Sequence, residues 1–459
     1  MPRALMVQGT ASGVGKSWLC AALCRLYARR GVAVAPFKAW NMSNNAAPAE
    51  GPDGWGEIGR AQAVQARAAG LAPHVDMNPL LLKPTRDGVD VVVGGRSVGV
   101  LSAAEYRARR DELWAVATAA YARLDAELVV VEGAGSPAEI NLREDMANMA
   151  MARHADARVL LVGDIERGGV FAALYGTWAL LGEPDRARVA GFVVNRFRGD
   201  AAVLRPGLDA LTARTGVPVR GVVPLRADVH LDEEDAASLA TSAGTLDVCV
   251  LRLPTLANAT DLGALARERG VGVRWEDHPE RVGNPDLLVI PGSRDTVADL
   301  GWMRARGLDR VVRALAGRVP VLGLCGGWQM LGARVGDVDG IGLLAGETTY
   351  ADEKLVRPTR AATTGRWLLP AGLPVDGYEI HLGRTPSASP LVGDDGEVAG
   401  LVAGTYVHGL LDGEPVRRAL IDALRARRGL DPLAPEPDAT AHFDVMADVV
   451  EEALDLTGL

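Results

Sequence analysis

The chemistry most evident in this sequence lies near its start, in the segment Gly9–Ser17 (GTASGVGKS), between an apolar run and a helix-like segment. Its glycines let successive backbone N–H groups face one anion, Lys16 can reach the outer phosphates of a nucleotide, and the Ser17 hydroxyl suits Mg²⁺. Thr10 stands where the usual phosphate loop has its first glycine. A glycine-rich turn without a ligand is the alternative. We predict that a nucleoside triphosphate binds through Gly9, Thr10, Gly13, Val14, Gly15, Lys16 and Ser17.

Acidic residues follow two buried-strand patterns downstream of this loop. Glu132 ends the run Leu128–Val131, and Asp164 follows Val159–Val162. An acid at a strand tip that faces a phosphate loop is the expected second anchor for Mg²⁺. We therefore predict a metal site formed by Ser17 and Glu132, with a solvated strand-end glutamate as the alternative. We assign Asp164 to the substrate site.

Asparagines occur at two further strand tips. Asn41 and Asn44 follow the run Val32–Phe37, and Asn195 follows Gly191–Val194. Open α/β sheets bind ligands at the carboxyl ends of their strands, so Asn41 and Asn44 could hold a polar substrate and Asn195 could contact the nucleotide base. Asparagine-rich turns whose side chains bond within the turn are the alternative at both places.

A second reactive centre is indicated at Cys325. The apolar run Val319–Leu324 precedes it, and Gly326 and Gly327 follow before a helix-like segment. A strand, a tight turn of small residues and a helix form a nucleophile elbow, and the helix N-terminus favours thiolate over thiol. A buried packing cysteine is the alternative. We predict that Cys325 is the nucleophile.

A thiol nucleophile needs a base, and two histidines are candidates. His408 ends the strand-like run Gly404–Val407 and precedes a glycine, so we predict that it is the base; His381 is the competitor. Attack on an amide creates an oxyanion, and we predict that the backbone N–H groups of Gly292 and Gly326 stabilise it.

The elements that position these residues alternate between apolar strand-like runs and helical segments, which predicts an α/β protein with two doubly wound domains built on parallel sheets. We expect an ATP-dependent domain at 1–228, a linker at 229–244, a second domain at 245–430 and a tail at 431–459. The linker is predicted from its acidic and small polar residues, which include Asp232, Glu233, Glu234, Asp235, Ser238 and Thr241. The tail begins proline-rich and ends in an amphipathic helix, which we expect to dock onto the protein.

Composition limits the classes of partner. The chain has 459 residues and a formal net charge of −9, which argues against nucleic acid and anionic membranes, and we expect a cytoplasmic protein that could form a homo-oligomer. Four scattered cysteines do not form a disulfide framework or a standard zinc site. Cys20 and Cys24 share a helical face, where core packing is favoured over metal binding.

A triphosphate site and a Cys-His pair suggest one reaction. Glutamine would be hydrolysed through a thioester at Cys325 to release ammonia, while ATP and Mg²⁺ would activate a carboxylate as an acyl phosphate at the first site. The carboxylate is a poor electrophile until phosphorylated, and Lys16 with Mg²⁺ stabilises the charge on the transferring group.

The chain resembles the cobyric acid synthase family over nearly its whole length. The segments that resemble it are Gly9–Ser17, Phe37-Lys38 with Asn41-Met42-Ser43, 57–62, 76–84, 131–142, Asp164 with 167–171, 195–200, Cys325-Gly326-Gly327, 377–381 and 404–409. The resemblance implies a dethiobiotin-synthetase-like ATPase domain joined to a class I type glutamine amidotransferase domain with a flavodoxin-type sheet. It also implies glutamine-dependent amidation of a corrinoid, adenosylcobyrinic acid a,c-diamide, at four side-chain carboxylates, with Cys325 as nucleophile and His408 as its histidine.

The sequence departs from the expected pattern at a few positions. Class I amidotransferases usually have Glu two residues after the catalytic histidine, where this chain has Leu410, as does the family that it resembles. A dyad, or an acid from elsewhere, must therefore orient His408. Trp40, Gly13 and Glu166 also differ from the residues expected near the nucleotide and corrinoid.

Three other functions are consistent with parts of the pattern. A related a,c-diamide synthase would use the same chemistry on other carboxylates. A partition or cell-division ATPase usually has a second lysine early in its loop, where this chain has Ala11, and a basic surface helix, which is not evident. A non-catalytic glutamine sensor would bind glutamine without transferring its nitrogen.

Overall fold

The computed structural model describes residues 2–85, 88–141, 145–226, 229, 231, 239, 242–433 and 441–459. They form two compact units. The first comprises 2–43, the described residues from 49 to 231, and 441–459; the second comprises 44–48 and the described residues from 239 to 433. Most of the predicted linker 229–244, including its acidic residues, and residues 434–440 of the predicted tail lie outside the described residues.

The part of the chain before residue 227 contains twelve described strands and eight described α-helices. The strands are β1 (Arg3–Gly9), β2 (Val34–Phe37), β3 (Asn41–Met42), β4 (Ala46–Gly51), β5 (Gly54–Gly59), β6 (Leu80–Pro84), β7 (Val89–Val93), β8 (Arg96–Leu101), β9 (Leu128–Glu132), β10 (Arg158–Asp164), β11 (Val189–Phe197) and β12 (Val219–Pro224). The helices are α1 (Lys16–Arg29), α2 (Arg60–Ala68), α3 (Ala103–Ala108), α4 (Arg110–Arg123), α5 (Met149–His154), α6 (Val170–Leu180), α7 (Glu183–Arg186) and α8 (Arg205–Thr215).

The main sheet of the first unit has the strand order β12-β11-β10-β1-β9-β2, and all its pairings are parallel. Successive residues of a strand point to opposite faces, so Leu5 and Val7 enter one hydrophobic core while Met6 enters the other. Strand β1 pairs with β9 on one side and with β10 on the other. The chain leaves β1 for β2 on the β9 side, and after β9 it crosses to β10, β11 and β12 on the other side. This arrangement opens a crevice at the carboxyl end of β1, where the phosphate loop begins.

The second unit contains twelve described strands and six described α-helices. The strands are β13 (Leu246–Leu251), β14 (Leu256–Ala257), β15 (Val271–Glu276), β16 (Leu287–Ile290), β17 (Gly292–Ser293), β18 (Val321–Leu324), β19 (Arg334–Val335), β20 (Val338–Asp339), β21 (Glu347–Thr364), β22 (Ala371–Arg384), β23 (Glu397–Ala399) and β24 (Val402–Thr405). The helices are α9 (Gly263–Ala266), α10 (Pro279–Val282), α11 (Thr296–Arg306), α12 (Leu308–Leu315), α13 (Gly326–Leu331) and α14 (Glu414–Arg427).

The main sheet of the second unit has the order β15-β13-β16-β18-β24-β23, with an antiparallel pairing at the β23 edge and parallel pairings elsewhere. Its alternating side chains also divide between two cores, with Val248 on one face and Cys249 on the other. The carboxyl ends of β18 and β24 are adjacent, which places Cys325 and His408 at the same edge. The prediction of two doubly wound α/β domains with parallel sheets is confirmed.

The last helix, α15 (Ala441–Ala453), packs in the first unit, against α1. Met446 and Val450 are fully buried in the core beneath α1. On the rim, the Arg25 guanidinium donates to both carboxylate oxygens of Asp444, at 2.8 and 3.0 Å. The acidic face of this helix is therefore paired with arginines of the helix that follows the phosphate loop.

Two segments lie in a different compact unit from the one that a contiguous division of the chain would give them. Residues 441–459 belong to the first unit, because their apolar side completes the core under α1. Residues 44–48 belong to the second unit, although the chain on both sides of them belongs to the first. No helix in the described part of the chain has the length and hydropathy needed to cross a bilayer.

Candidate functional site

The phosphate loop joins β1 to α1, and its shape depends on glycines with positive φ. Gly13 has φ +72° and Gly15, which caps α1, has φ +93°. Such a backbone is left-handed, which glycine adopts at little cost. No side chain caps the start of α1, so the helix N-terminus is available to an anion. The helix begins at Lys16, so Lys16 and Ser17 of the predicted loop lie in its first turn.

The first residues of the loop have a structural role. A Cβ at Gly9 would lie 2.6 Å from Val14 Cγ2, so glycine lets the loop close on itself. The Thr10 N–H donates to the Val162 carbonyl at 2.9 Å, which ties the loop to β10. Gly9, Thr10 and Val14 therefore shape the loop, whereas Gly13, Gly15, Lys16 and Ser17 line the adjoining cavity.

The buried carboxylate of Glu132 collects the polar groups around the loop. Its Oε1 accepts hydrogen bonds from the Ser17 hydroxyl at 3.0 Å and from the Lys38 ammonium at 2.8 Å, and its Oε2 accepts one from the amide of Gln65. Burial opposes ionisation of Glu132, but the Lys38 charge and the hydrogen bonds from Lys38 and Gln65 lower its pKa. The carboxylate is therefore held in its charged form beside the loop.

Ser17 and Glu132, the predicted metal pair, thus present two hard oxygen donors to the same space. The described residues contain no group of three or more His, Cys, Asp or Glu side chains that could hold a metal. Mg²⁺ commonly binds proteins through one or two side-chain oxygens and takes its other ligands from phosphate and water. The residues present fit that mode of binding.

A cavity of about 810 Å³ adjoins the loop. Its wall combines aromatic and cationic side chains, as suits a large, flat, acidic ligand. The lining includes Trp18, Trp40, Asn41, Tyr106, Arg110, Glu166, Asn195, Arg196, Arg198 and Arg226. Gly13, Trp40 and Glu166, which differ from the residues expected near the nucleotide and corrinoid, all line this cavity.

Only some of the residues predicted to contact the substrate or the nucleotide base line this cavity. Asn41 lines the cavity, and Asn195 does too, but the Asn195 amide donates to the Val14 carbonyl at 2.8 Å and so braces the loop. Asp164 is absent from the described lining; it accepts a hydrogen bond from Arg196, which lines it, at 3.1 Å. Asn44 is also absent from that lining, because its segment packs in the second unit. Neither Asp164 nor Asn44 is therefore a direct cavity contact.

Cys325 occupies the predicted elbow between β18 and α13. Its φ and ψ are 50° and −107°, a strained backbone for a residue with a side chain. A Cβ at Gly327 would lie 1.9 Å from the Ile290 carbonyl oxygen, so the turn requires glycine there. The Cys325 thiol is partly exposed, whereas the other three cysteines are buried. Burial raises the pKa of Cys20 and Cys24, as expected for packing residues.

His408 is buried beside this thiol and is held by an acid that the sequence did not reveal. Its Nδ1 lies 2.6 Å from Asp261 Oδ2, and Asp261 Oδ1 accepts the Gly409 N–H at 3.0 Å. Burial of the imidazole opposes its protonation, but Asp261 and a hydrogen bond with Cys325 raise the pKa of His408 to about 10. Cys325, His408 and Asp261 thus have the arrangement of a nucleophile, a base and an orienting acid.

Asp261 supplies the orienting acid in this chain, which has Leu410 where class I amidotransferases usually have Glu. It lies in a one-turn 3₁₀ helix, Ala259–Leu262, between β14 and α9 of the second unit. The sequence signal is slight: one buried acid in a turn at the carboxyl edge of the sheet. Because 147 residues separate it from His408, no local spacing rule could have identified it.

His381 has its ring nitrogens engaged elsewhere. Its Nε2 lies 3.1 Å from Glu379 Oε2, its Nδ1 lies 2.7 Å from the Gly383 carbonyl oxygen, and its ring stacks on Tyr406. The nearest described link to the thiol is the Ile380 carbonyl oxygen, 4.0 Å from Cys325 Sγ. This geometry favours His408 as the base and His381 as a support for the strand beside the thiol.

The predicted oxyanion groups lie at the same place. A Cβ at Gly292 would be 3.7 Å from His408 Cε1, and a Cβ at Gly326 would be 2.9 Å from the Ser293 nitrogen. Gly326 is also the first residue of α13, where backbone N–H groups lack helical acceptors. Gly292 and Gly326 therefore remain our candidates for stabilising the oxyanion.

Comparisons with known proteins agree with this division of chemistry. Residues 5–239 match the CobQ/CobB/MinD/ParA nucleotide binding domain, and residues 247–416 match the CobB/CobQ-like glutamine amidotransferase domain. The cobyric acid synthase of Desulforudis audaxviator (strain MP104C) is 50% identical over 98% of this chain and 97% of its own length. That of Sorangium cellulosum (strain So ce56) is 47% identical over 98% and 96%, and that of Moorella thermoacetica (strain ATCC 39073 / JCM 9320) is 45% identical over 99% and 96%. The chain therefore belongs to the cobyric acid synthase family of glutamine-dependent, amide-forming enzymes of cobalamin biosynthesis.

Proposed function

We propose that this enzyme amidates the b, d, e and g side-chain carboxylates of adenosylcobyrinic acid a,c-diamide to give adenosylcobyric acid, with glutamine as nitrogen donor and ATP as activator. The observation that supports this most directly is the Cys325–His408–Asp261 arrangement in a chain that also contains a phosphate loop. The relatives named above support the identity of the product.

We assign glutamine hydrolysis to the second unit. His408 takes the thiol proton, Cys325 Sγ attacks the amide carbon, and the N–H groups of Gly292 and Gly326 stabilise the oxyanion. The imidazolium then gives its proton to the leaving nitrogen, ammonia departs, and a thioester remains. Water, deprotonated by His408, cleaves the thioester and releases glutamate. Asp261 keeps the proton on Nδ1, so that Nε2 is the nitrogen that exchanges protons.

We assign carboxylate activation to the first unit. A substrate carboxylate oxygen attacks the γ-phosphorus of ATP, ADP leaves, and ammonia then displaces phosphate from the acyl phosphate to form the amide. Lys16 and the N-terminus of α1 bind the phosphates, and Ser17 and Glu132 would hold Mg²⁺. Bound with ATP, the metal ion supplies positive charge that offsets the charge developing on the phosphates.

The cavity chemistry supports a corrinoid as the carboxylate substrate. A corrinoid is broad, largely flat and acidic at its rim, and the aromatic side chains of Trp40 and Tyr106 with the guanidinium groups of Arg196 and Arg198 provide matching surfaces. Asn41 would contact the substrate directly. Asp164 would act through Arg196, whose guanidinium it orients.

An amidation assay with mass detection tests the proposal. Cys325→Ala should abolish glutamine-driven amidation while added ammonia still supports it; Cys249→Ala, at a buried thiol, is the matched control. Lys16→Ala should abolish amidation with either nitrogen source, with Lys354→Ala as its control because Lys354 does not line the cavity.

Specific outcomes would contradict the proposal. Retained activity in Lys16→Ala would mean that the loop is not the ATP site. Loss of the ammonia-driven reaction in a folded Cys325→Ala variant would contradict separate sites. Addition of two amides to cobyrinic acid, with no reaction of the a,c-diamide, would identify an a,c-diamide synthase instead.

A further inference from the structure

The segment 44–48 belongs to the second unit, although residues 41–43 before it and 49 after it belong to the first. Within the second unit, the backbone N–H of Ala46 donates to Asn258 Oδ1 at 3.1 Å. Both residues are buried, with exposed fractions of 1% and 6%. A segment from the first half of the sequence therefore holds a side chain 212 positions later.

Asn258 in turn contacts the predicted base. Its Nδ2 lies 3.2 Å from His408 Nε2, opposite the Nδ1 that faces Asp261. Asn258 has φ +49° and ψ 43°, a left-handed conformation that asparagine tolerates better than most residues, and it caps the 3₁₀ turn containing Asp261. One short turn thus supplies the partners of both ring nitrogens.

The direction of the Asn258 hydrogen bond follows from Ala46. A backbone N–H can only donate, so the carboxamide oxygen must face Ala46 and the NH₂ group must face His408. Nε2 must then be an acceptor, and its lone pair is the one that would receive the Cys325 proton. The contact therefore favours neutral imidazole and competes with the thiol, whereas Asp261 and Cys325 favour imidazolium.

On the basis of the glutaminase function proposed above, we propose that Asn258 is a positioning residue, oriented by the Ala46 N–H. Asn258 restrains His408 and thereby slows glutamine hydrolysis until segment 44–48 shifts. When the Asn258 amide turns away, Nε2 is free to take the thiol proton, and Asp261 stabilises the resulting imidazolium beside the Cys325 thiolate.

Segment 44–48 is joined directly to residues that line the nucleotide cavity, so a ligand in that cavity could shift it. Asn41 and Met42 line the nucleotide cavity, and the Ser43 N–H donates to the Leu82 carbonyl at 3.0 Å. Two residues then separate Ser43 from Ala46. The Asn41 amide donates to Gln62 Oε1 at 3.0 Å, so a ligand that rearranges these polar groups would displace the chain just before Ala46. Filling of the cavity would thereby release the glutaminase, which limits waste of glutamine.

The test measures glutaminase activity of the full chain, with and without ATP and the corrinoid diamide. Asn258→Gly keeps the left-handed backbone but removes the amide, Asn258→Asp keeps an acceptor for Ala46 but removes the donor to Nε2, and Ala46→Pro removes the N–H. Each should raise the unstimulated rate about three- to tenfold, the effect of losing one hydrogen bond, and reduce stimulation by the ligands. Ala47→Gly, which leaves the Ala46 N–H in place, should retain stimulation.

A pH profile separates positioning from a merely structural role. Among the described residues, the ionisable groups around His408 include Asp261, Cys325, Tyr378, whose ring stacks on the imidazole at 5.3 Å, and Asp412 near Gly409. All of these remain in Asn258→Gly. Loss of the donor to Nε2 should favour imidazolium and move the alkaline limb of kcat/KM for glutamine to higher pH.

Two results would overturn the proposal: a lower or unchanged unstimulated rate in Asn258→Gly and Asn258→Asp, or full stimulation in both. Ammonia-driven amidation in the same preparations shows that the variants are folded. Failure of the proposed function itself would look different, because wild-type protein would then lack glutamine-driven amidation or Cys325→Ala would retain it.

Discussion

Asp261→Asn is the sharpest test of the second site. Asp261 is 3% exposed, its Oδ2 lies 2.6 Å from His408 Nδ1, and its Oδ1 accepts the Gly409 N–H. An asparagine has nearly the same shape and can still accept from Gly409. Its NH₂ group would then face Nδ1, which must become an acceptor. The proton would move to Nε2, the nitrogen that has to receive the thiol proton.

The size of the effect follows from burial and charge. Removing one partner of a buried ion pair costs about 3–5 kcal/mol. If that cost falls on the imidazolium formed during thiol attack, it corresponds to a rate loss of about 10²- to 10⁴-fold, because each tenfold change is about 1.4 kcal/mol. The expected loss lies in kcat for glutamine hydrolysis, since Asp261 orients the base.

The assay follows glutamate release and amide formation under saturating ATP. Asp261→Asn should lose glutamine-driven amidation and keep the ammonia-driven reaction. Asp412→Asn removes a neighbouring carboxylate but keeps the contact between Asp261 and His408, and its rate should stay within about threefold of wild type. A glutaminase rate in Asp261→Asn within threefold of wild type would refute the role of Asp261, and His408 would then act without an orienting acid.

Three further predictions concern the fold and the first site. Met446→Ala should lower the free energy of unfolding by about 2–5 kcal/mol, because it leaves a cavity at a fully buried position under α1. Asp444→Ala removes a partly exposed ion pair and should lower the free energy of unfolding by less than about 1 kcal/mol. Denaturant titration of both variants measures the difference. Burial opposes ionisation of Glu379, but hydrogen bonds from its neighbours lower its pKa to about 2, so its stabilising effect is present above about pH 4.3 and is lost as the pH falls through 2. Wild type should therefore lose about 3 kcal/mol more stability than Glu379→Gln between pH 5 and pH 2, and equal losses would contradict this. Glu132→Gln should abolish amidation from both nitrogen sources and raise the Mg²⁺ concentration needed for nucleotide binding, measured by calorimetry; unchanged Mg²⁺ dependence would exclude Glu132 from the metal site.

The fold was predictable because its signals are local. The runs Leu246–Leu251 and Leu287–Ile290 are strands with the bounds that their apolar residues indicate, since a buried parallel strand needs apolar side chains on both faces. The sequence did not indicate that the segments 44–48 and 441–459 would each pack in a unit different from that of the chain next to them. The exchange of 44–48 and the return of 441–459 to the first unit depend on which surfaces their side chains complete.

The two reactive loops were predictable for a related reason. A phosphate loop and a nucleophile elbow are both strand–turn–helix units, so residues such as Lys16 and Cys325 are positioned by their immediate neighbours. The pairing of Ser17 with Glu132 was also accessible, because parallel strands bring their carboxyl ends to one edge. Asn44 and Asp164 show the limit of that reasoning: a position at a strand end does not specify which way the side chain faces.

The sequence by itself predicted a nucleotide site in one part of the chain, and residues 5–239 match a nucleotide binding domain. It also predicted a thiol nucleophile in another part, because both predictions depend on contiguous residues with special backbone shapes. The tertiary structure alone decided what surrounds the base. Asp261 and Asn258 reach His408 across 147 and 150 positions, and Ala46 reaches Asn258 across 212. Contacts of that range have no periodicity or spacing in the sequence, since they arise only when separate strand ends and turns pack at one edge of a sheet.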